Sequence, residues 1–327
     1  MKEQQDWQPT ATIDTLKRRA RLLADVRQFF AGRDVFEVDT PILSQAAPAA
    51  TYLDSFSSHY QPPGSGPRTY YLQTSPEFPM KRLLAAGSGD IFQIAKVFRN
   101  GELGRLHSPE FTMLEWYRPA LDYSGLMEEV DQLLQQVASL PAARKMSYHQ
   151  AFQQYLDLDI EQVEAATLKQ TALSSIAGLP DDWQTDRDGW LEMLMSELIE
   201  PQLAKLNQPV IIYDFPASQA QLARVYQNQN GVEVAARFEV YAGGLELANG
   251  YDECLDATEL RHRFDKDNQQ RQAQNKPVMP IDNRLLSAIE NGLPPCTGVA
   301  LGLDRLMMLI NQKHTLNDVL SFGFERS

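Results

Sequence analysis

A chain of 327 residues with 43 acidic and 30 basic side chains carries a net charge of −13, a field that repels phosphate backbones and argues against a partner such as tRNA. Its 43% hydrophobic and 22% charged residues are ordinary for a globular protein with a large core. Two distant cysteines, Cys254 and Cys296, argue against a disulfide scaffold or a zinc site and fit a reducing compartment; with no membrane-length apolar stretch and no signal-peptide core, the expected location is the cytoplasm.

From about Asp14 to Gly32, Leu16, Ala20, Leu23, Val26 and Phe30 recur at helical spacing, with Asp14 as N-cap and Gly32 as stop. The basic run Lys17, Arg18, Arg19 and Arg21 reads as a solvated face of that helix. VFEVDTPIL reads as a strand running into Thr40-Pro41, and residues 44–70, rich in proline and glycine, read as loop. After a short strand at Tyr70–Gln73 comes TSPEFPMKRLL, whose Ser-Pro-Glu by itself marks a helix N-terminus.

Two strand-forming runs, Ile91–Arg99 and Glu110–Arg118, then flank a polar tip. Alternation puts Phe111, Met113, Glu115 and Tyr117 on one face, and Thr112, Leu114 and Trp116 on the other. The same pattern suits an amphipathic hairpin with a solvated tip. It also suits a site in which Arg99 meets a phosphate in bidentate geometry.

DYSGLMEEVDQLLQQVASL is an amphipathic helix ending before Pro141. Residues 141–208 show helical patterns near Tyr148–Tyr155, Leu168–Ile176 and Trp190–Ile199, joined by polar connectors. PVIIYDF is a buried-type strand, and VAARFEVYAGGLELANGYDE reads as strand, Gly243-Gly244 turn, strand and acidic loop. Glu246 shares a strand face with Ala248, and Glu253 follows where the chain enters the helix DATELRHRFDKDNQQRQ. These two carboxylates fit an oxygen cage for Mg²⁺ and equally a solvated acidic loop. In GVALGLDRLMMLI, Gly298 and Gly302 precede an apolar helix with Arg305 in its first turns.

Arg99-Asn100, His107, Pro109-Glu110-Phe111-Thr112, Glu115 and Tyr117 resemble motif 2 of the class II aminoacyl-tRNA synthetases, in the lysyl/aspartyl/asparaginyl branch. The helix and strand before Pro41 resemble motif 1, and GLGLDRL at the C-terminal end resembles motif 3. The resemblance covers nearly the whole chain. It implies an α+β fold, a mostly antiparallel sheet flanked by helices, as one catalytic domain over residues 1–327 with a mainly helical insertion at about 141–208. It implies that Arg99 binds the α-phosphate of ATP, that Phe111 stacks under adenine, and that Arg305 contacts the γ-phosphate, Arg99 and Arg305 being the catalytic pair. Asn100, Gly101, Glu102, His107, Ser108, Leu247 and Gly302 complete the ATP site, and Glu246 and Glu253 hold Mg²⁺. Ser75, Pro76 and Glu77 line the amino-acid pocket, where Glu77 pairs with the substrate ε-ammonium and Glu115, Tyr117 and Glu253 also read the substrate. Motif 1 implies a homodimer.

Motif 1 begins almost at the N-terminus, leaving no room before it for the anticodon-binding module of a lysyl-tRNA synthetase. A bare lysyl-type domain of acidic charge resembles the elongation factor P–(R)-β-lysine ligase family. That resemblance implies adenylation of (R)-β-lysine and its transfer to a lysine of elongation factor P, without tRNA. Ala300 stands where lysyl-tRNA synthetases usually have glycine, which makes it the expected selector of β-lysine over α-lysine. Two positions depart from the pattern: Gly101 where glutamate is usual, with Glu102 next to it, and Ser108 where asparagine is usual. A free-standing lysyl-tRNA synthetase domain and a non-catalytic regulatory paralogue are the competing readings.

Overall fold

The computed structural model describes residues 7–327. The first stretch holds α1 (Ile13–Ala31), β1 (Phe36–Glu37), β2 (Leu43–Ser44), β3 (Ser57–Tyr60), β4 (Arg68–Leu72), α2 (Glu77–Ala85), β5 (Ile91–Phe98) and β6 (Glu110–Arg118). The middle holds α3 (Tyr123–Ala138), β7 (Arg144–Ser147), α4 (Tyr148–Leu156), α5 (Ala165–Ser175) and α6 (Arg187–Leu194). A π-turn at Met195–Ile199 and α7 (Glu200–Leu203) lead to β8 (Val210–Pro216), β9 (Val225–Gln227), β10 (Glu233–Ala242) and β11 (Leu245–Asp252). Last come α8 (Ala257–Ala273), α9 (Asn283–Glu290), β12 (Thr297–Gly302) and α10 (Leu303–Ile310). The class is α+β with mostly antiparallel pairing. The chain divides into two compact units, residues 1–122 with 254–327, and residues 123–253.

In the first unit the strands run β1-β5-β6-β12, with β1 parallel to β5 and the rest antiparallel. β6 lies between two partners and is buried along most of its length on both faces, so its alternation separates two buried surfaces rather than core from solvent. The rear surface packs on α1, where Phe30 stacks on Phe92 at 4.5 Å and meets Trp116 edge-on at 5.3 Å. The α1 boundaries correct the expectation. Thr12 is the N-cap, its hydroxyl accepting from the Thr15 amide at 3.1 Å, and Asp14 lies in the first turn. Only Phe36–Glu37 of VFEVDTPIL is a strand. Pro41 has no N–H to continue the ladder, and Leu43–Ser44 joins a second sheet of order β2-β4-β3. β3, SSHY, lies inside the stretch expected to be loop; exposed at every position, it has no apolar alternation to betray it.

The second unit pairs β11, β10, β8 and β7 in that order, with β9 also on β10. Gly243 and Gly244 take positive φ (58° and 79°) in the two-residue turn between β10 and β11. β7 is parallel to β8, which requires a long crossover, and the helices between residues 148 and 203 form it. They bury Tyr148, Phe152, Leu168, Trp190 and Ile199 against Ile212 and Phe215. Among the described residues no helix is long and apolar enough to cross a membrane.

Candidate active site

The front face of the first unit's sheet is set by register. Glu115 of β6 lies opposite Gln93 of β5 and Ala300 of β12; Tyr117 lies opposite Ile91 and Gly298; Met113 lies opposite Ala95 and Gly302. Residues directly opposite on antiparallel strands share a face with Cβ atoms roughly 4.5–5.5 Å apart. Ala300 therefore adjoins Glu115, and with Phe111 it packs on Ala95, Val97 and Met113.

At one end of this face Arg99, just past β5, is fixed by its amide donating to the Pro109 carbonyl at 2.9 Å. Its guanidinium lies 5.1 Å from the Phe111 ring centre. The Arg99 Nε is buried without a hydrogen-bond partner, and Glu102 is 3.9 Å from Nη1. Gly101 has φ +84°, a left-handed turn that favours glycine, so the departure at this position has a backbone reason. The turn brings Glu102, not residue 101, beside Arg99. The tip is tied down elsewhere: the Asn100 amide donates to the Asp54 carbonyl at 2.7 Å, and Arg105 Nη1 to the His314 carbonyl at 2.9 Å. Arg305, in the first turn of α10, donates from Nη2 to His107 Nε2 at 2.9 Å. Burial, then the Arg305 charge, hold the His107 pKa below its ordinary value, so the ring is a neutral acceptor. Ser108 is buried at the start of β6, and Gly302 is the N-cap of α10.

At the other end Glu115, 2% exposed, accepts from the Ser75 hydroxyl at 2.6 Å and from the Tyr117 hydroxyl at 2.7 Å. Ser75 also accepts from the Glu77 amide at 3.0 Å, which makes it the side-chain cap of α2 while Pro76 holds the N-cap position. Burial and the neighbouring Glu77 push Glu115 up to about 7. Glu77 is not open in the way the resemblance implied. Its Oε1 accepts from Lys81 Nζ at 2.5 Å, one turn along α2.

In the second unit Glu246, half-buried on β11, lies opposite Tyr241, followed by buried Leu247; Asn249 Nδ2 donates to Glu239 Oε1 at 3.1 Å. Glu253 is buried and bridged through its backbone to Ala223. β11 ends at Asp252, so where the chain leaves the strand, rather than the pleat, sets the relation of Glu246 to Glu253. Both are hard oxygen donors, the chemistry that suits Mg²⁺.

Sequence reading missed several supports. Arg19, expected to be solvated, donates to Asp304 Oδ1 at 2.5 Å and to the Thr112 hydroxyl at 2.7 Å. Asp304 Oδ2 accepts in turn from the Thr112 amide at 2.8 Å. One buried carboxylate thus links α1, β6 and α10. Arg271, fully buried, donates to the carbonyls of Ala50, Leu53 and Pro277 and to Asp54 Oδ1 at 2.6 Å, which steadies the loop on which Asn100 rests. Burial raises the Asp54 pKa, but hydrogen bonds from Arg271 and Lys276 outweigh it and hold the carboxyl below its ordinary value. The only signal was charge in otherwise polar segments, which solvated residues share.

Three strands and a following helix that carry motif 2 and motif 3 on one sheet define a class II synthetase-type catalytic centre. The chain belongs to the family described as tRNA synthetases class II (D, K and N), whose profile matches residues 5–326. It is 48% identical over 322 residues to the elongation factor P–(R)-β-lysine ligase of Haemophilus influenzae (strain PittGG), covering 98% of each chain. It is also 48% identical over 332 residues to that ligase of Pectobacterium carotovorum subsp. carotovorum (strain PC1), and 47% over 328 residues to that of Salmonella arizonae, both over 100% of each chain.

Proposed function

We propose that this chain is an ATP-dependent ligase that adenylates (R)-β-lysine and transfers it to a lysine side chain of elongation factor P. The observation that carries the reading is the front face of β6. It holds an arginine over an aromatic ring at one end and a buried carboxylate capped by two hydroxyls at the other. Phe111 and Glu115 are four residues apart on one strand, roughly 13 Å at 3.3–3.4 Å per residue, which suits an adenylate with adenine at one end and the substrate amine at the other.

The substrate carboxylate attacks the α-phosphorus in line, a P–O bond forms, and pyrophosphate leaves with the electrons of the broken bond. Arg99 neutralises charge developing on the α-phosphate, and Arg305, steadied by neutral His107, serves the γ-phosphate. The acceptor lysine, as free amine, then attacks the acyl carbon; AMP leaves and the nitrogen loses its proton to solvent. No covalent enzyme intermediate is required. Glu246 and Glu253 are the residues that would hold Mg²⁺, which when bound neutralises phosphate charge. Glu115 and Tyr117 receive the substrate amine, and Ala300, directly beside Glu115, shapes the wall that favours the β-amino acid. The molecule acts as a homodimer through α1 and β1, in a reducing compartment such as the cytoplasm.

Arg99→Ala tests the phosphate assignment. Amino-acid-dependent ATP–pyrophosphate exchange is expected to fall by at least about 100-fold, the usual loss for a single group that stabilises transition-state charge. Exchange near the wild-type rate would remove Arg99 from the reacting centre.

A further inference from the structure

The pocket beside Ala300 holds two carboxylates and one ammonium, and that ammonium belongs to the protein. Lys81 is 2% exposed and Glu77 16%. Glu115 accepts only from the neutral hydroxyls of Ser75 and Tyr117. Glu77 begins α2, where the positive end of the helix already favours a carboxylate. An apolar side chain at position 81 would fill a buried site without the desolvation cost of an ammonium. Helix stability alone therefore does not account for a lysine here. What the lysine does is act on neighbouring charges: it is paired with Glu77 and, across the pocket, favours the ionised form of Glu115 against burial and Glu77. The groups that face Glu115 are Glu77 and Lys81 from α2, Ser75 before that helix, Tyr117 on its own strand, Gln93 of β5 and Ala300 of β12.

We propose that Lys81 is a positioning and specificity-determining residue: as an internal ammonium it occupies Glu77, leaves the pocket one net negative charge, and directs a single substrate ammonium to Glu115. The inference rests on the reading of this pocket as the amino-acid site. With both carboxylates ionised, Lys81 cancels one charge and one substrate ammonium cancels the other. A neutral isostere or an acidic side chain would leave a buried charge unpaired, so the pocket selects a monocationic head.

The test is kcat/KM for lysine and β-lysine against pH, measured by ATP–pyrophosphate exchange on the full-length protein. In Lys81→Met the acid limb should move up by roughly one pH unit, since a nearby charge of opposite sign is lost. Amino-acid KM at pH 7 should rise about tenfold or more, while ATP KM stays within about twofold. In Glu77→Gln the limb should move the other way, because Lys81 then faces Glu115 alone. Lys81→Arg should keep the wild-type limb, and the double variant Glu77→Gln/Lys81→Met should recover towards it. If Lys81→Met does not fold, Glu77→Gln and Lys81→Arg still carry the test. Limbs that coincide in all variants that fold, or a double variant no better than the worse single one, would overturn the role of Lys81. Glu115→Gln separates the premise: unchanged amino-acid KM there removes the pocket from amino-acid recognition altogether.

Discussion

Glu115 must be ionised to hold an ammonium, yet burial and Glu77 keep its proton on until about pH 7. Activation should therefore show an acid limb near neutrality in kcat/KM for the amino acid, lost in Glu115→Gln; a wild-type limb below about pH 5 would contradict the environment described. The same shift has a sign for stability. Its folded pKa lies above its unfolded one, so the native state binds more protons between them, and this residue's contribution to stability falls as pH rises from about 4.5 to about 7. Alternation placed Glu115 and Tyr117 on the correct face because strand period is a local property. Lys81 and Arg19 were not legible in the same way. A lysine or arginine on a helix looks identical in sequence whether it meets water or a buried carboxylate, and only tertiary contact decides.

β6 and β12 were readable as elements, but their register was not; the contact of Ala300 with Glu115 depends on it. The strand expected through Thr40-Pro41 failed where tertiary pairing ended, after two residues beside β5. The link among α1, β6 and α10 was likewise invisible, since it joins residues 19, 112 and 304. Because Arg19 and Asp304 are both largely buried, removing one partner leaves an uncompensated charge. Arg19→Met should cost about 3–5 kcal/mol, and the double variant with Asp304→Asn distinctly less than the sum of the single losses. Denaturant unfolding measures this; additive losses would show that the pair acts independently. Arg305 is the next residue along from Asp304, so the single variant should also weaken ATP binding.

At the scale of the molecule, α1 and β1 expose Ile13 and Phe36, and Ile42 and Leu43 follow in sequence; Arg27 and Glu37 join α1 to β1 by hydrogen bonds of 2.8 and 2.9 Å. Sedimentation equilibrium should give a species of twice the chain mass; a monomer at every concentration would remove motif 1 from dimer formation. The charge of −13 bears on the acceptor. It opposes a polyanion at long range and leaves a protein acceptor open, although charge says nothing of which lysine receives the acyl group. The measurement closest to the central claim offers the purified enzyme, ATP and Mg²⁺ labelled (R)-β-lysine or α-lysine, with either unmodified elongation factor P or lysine tRNA as acceptor. Label should pass from (R)-β-lysine to one lysine of elongation factor P, with less from α-lysine and none to tRNA. Efficient charging of tRNA, with elongation factor P left unlabelled, would contradict it.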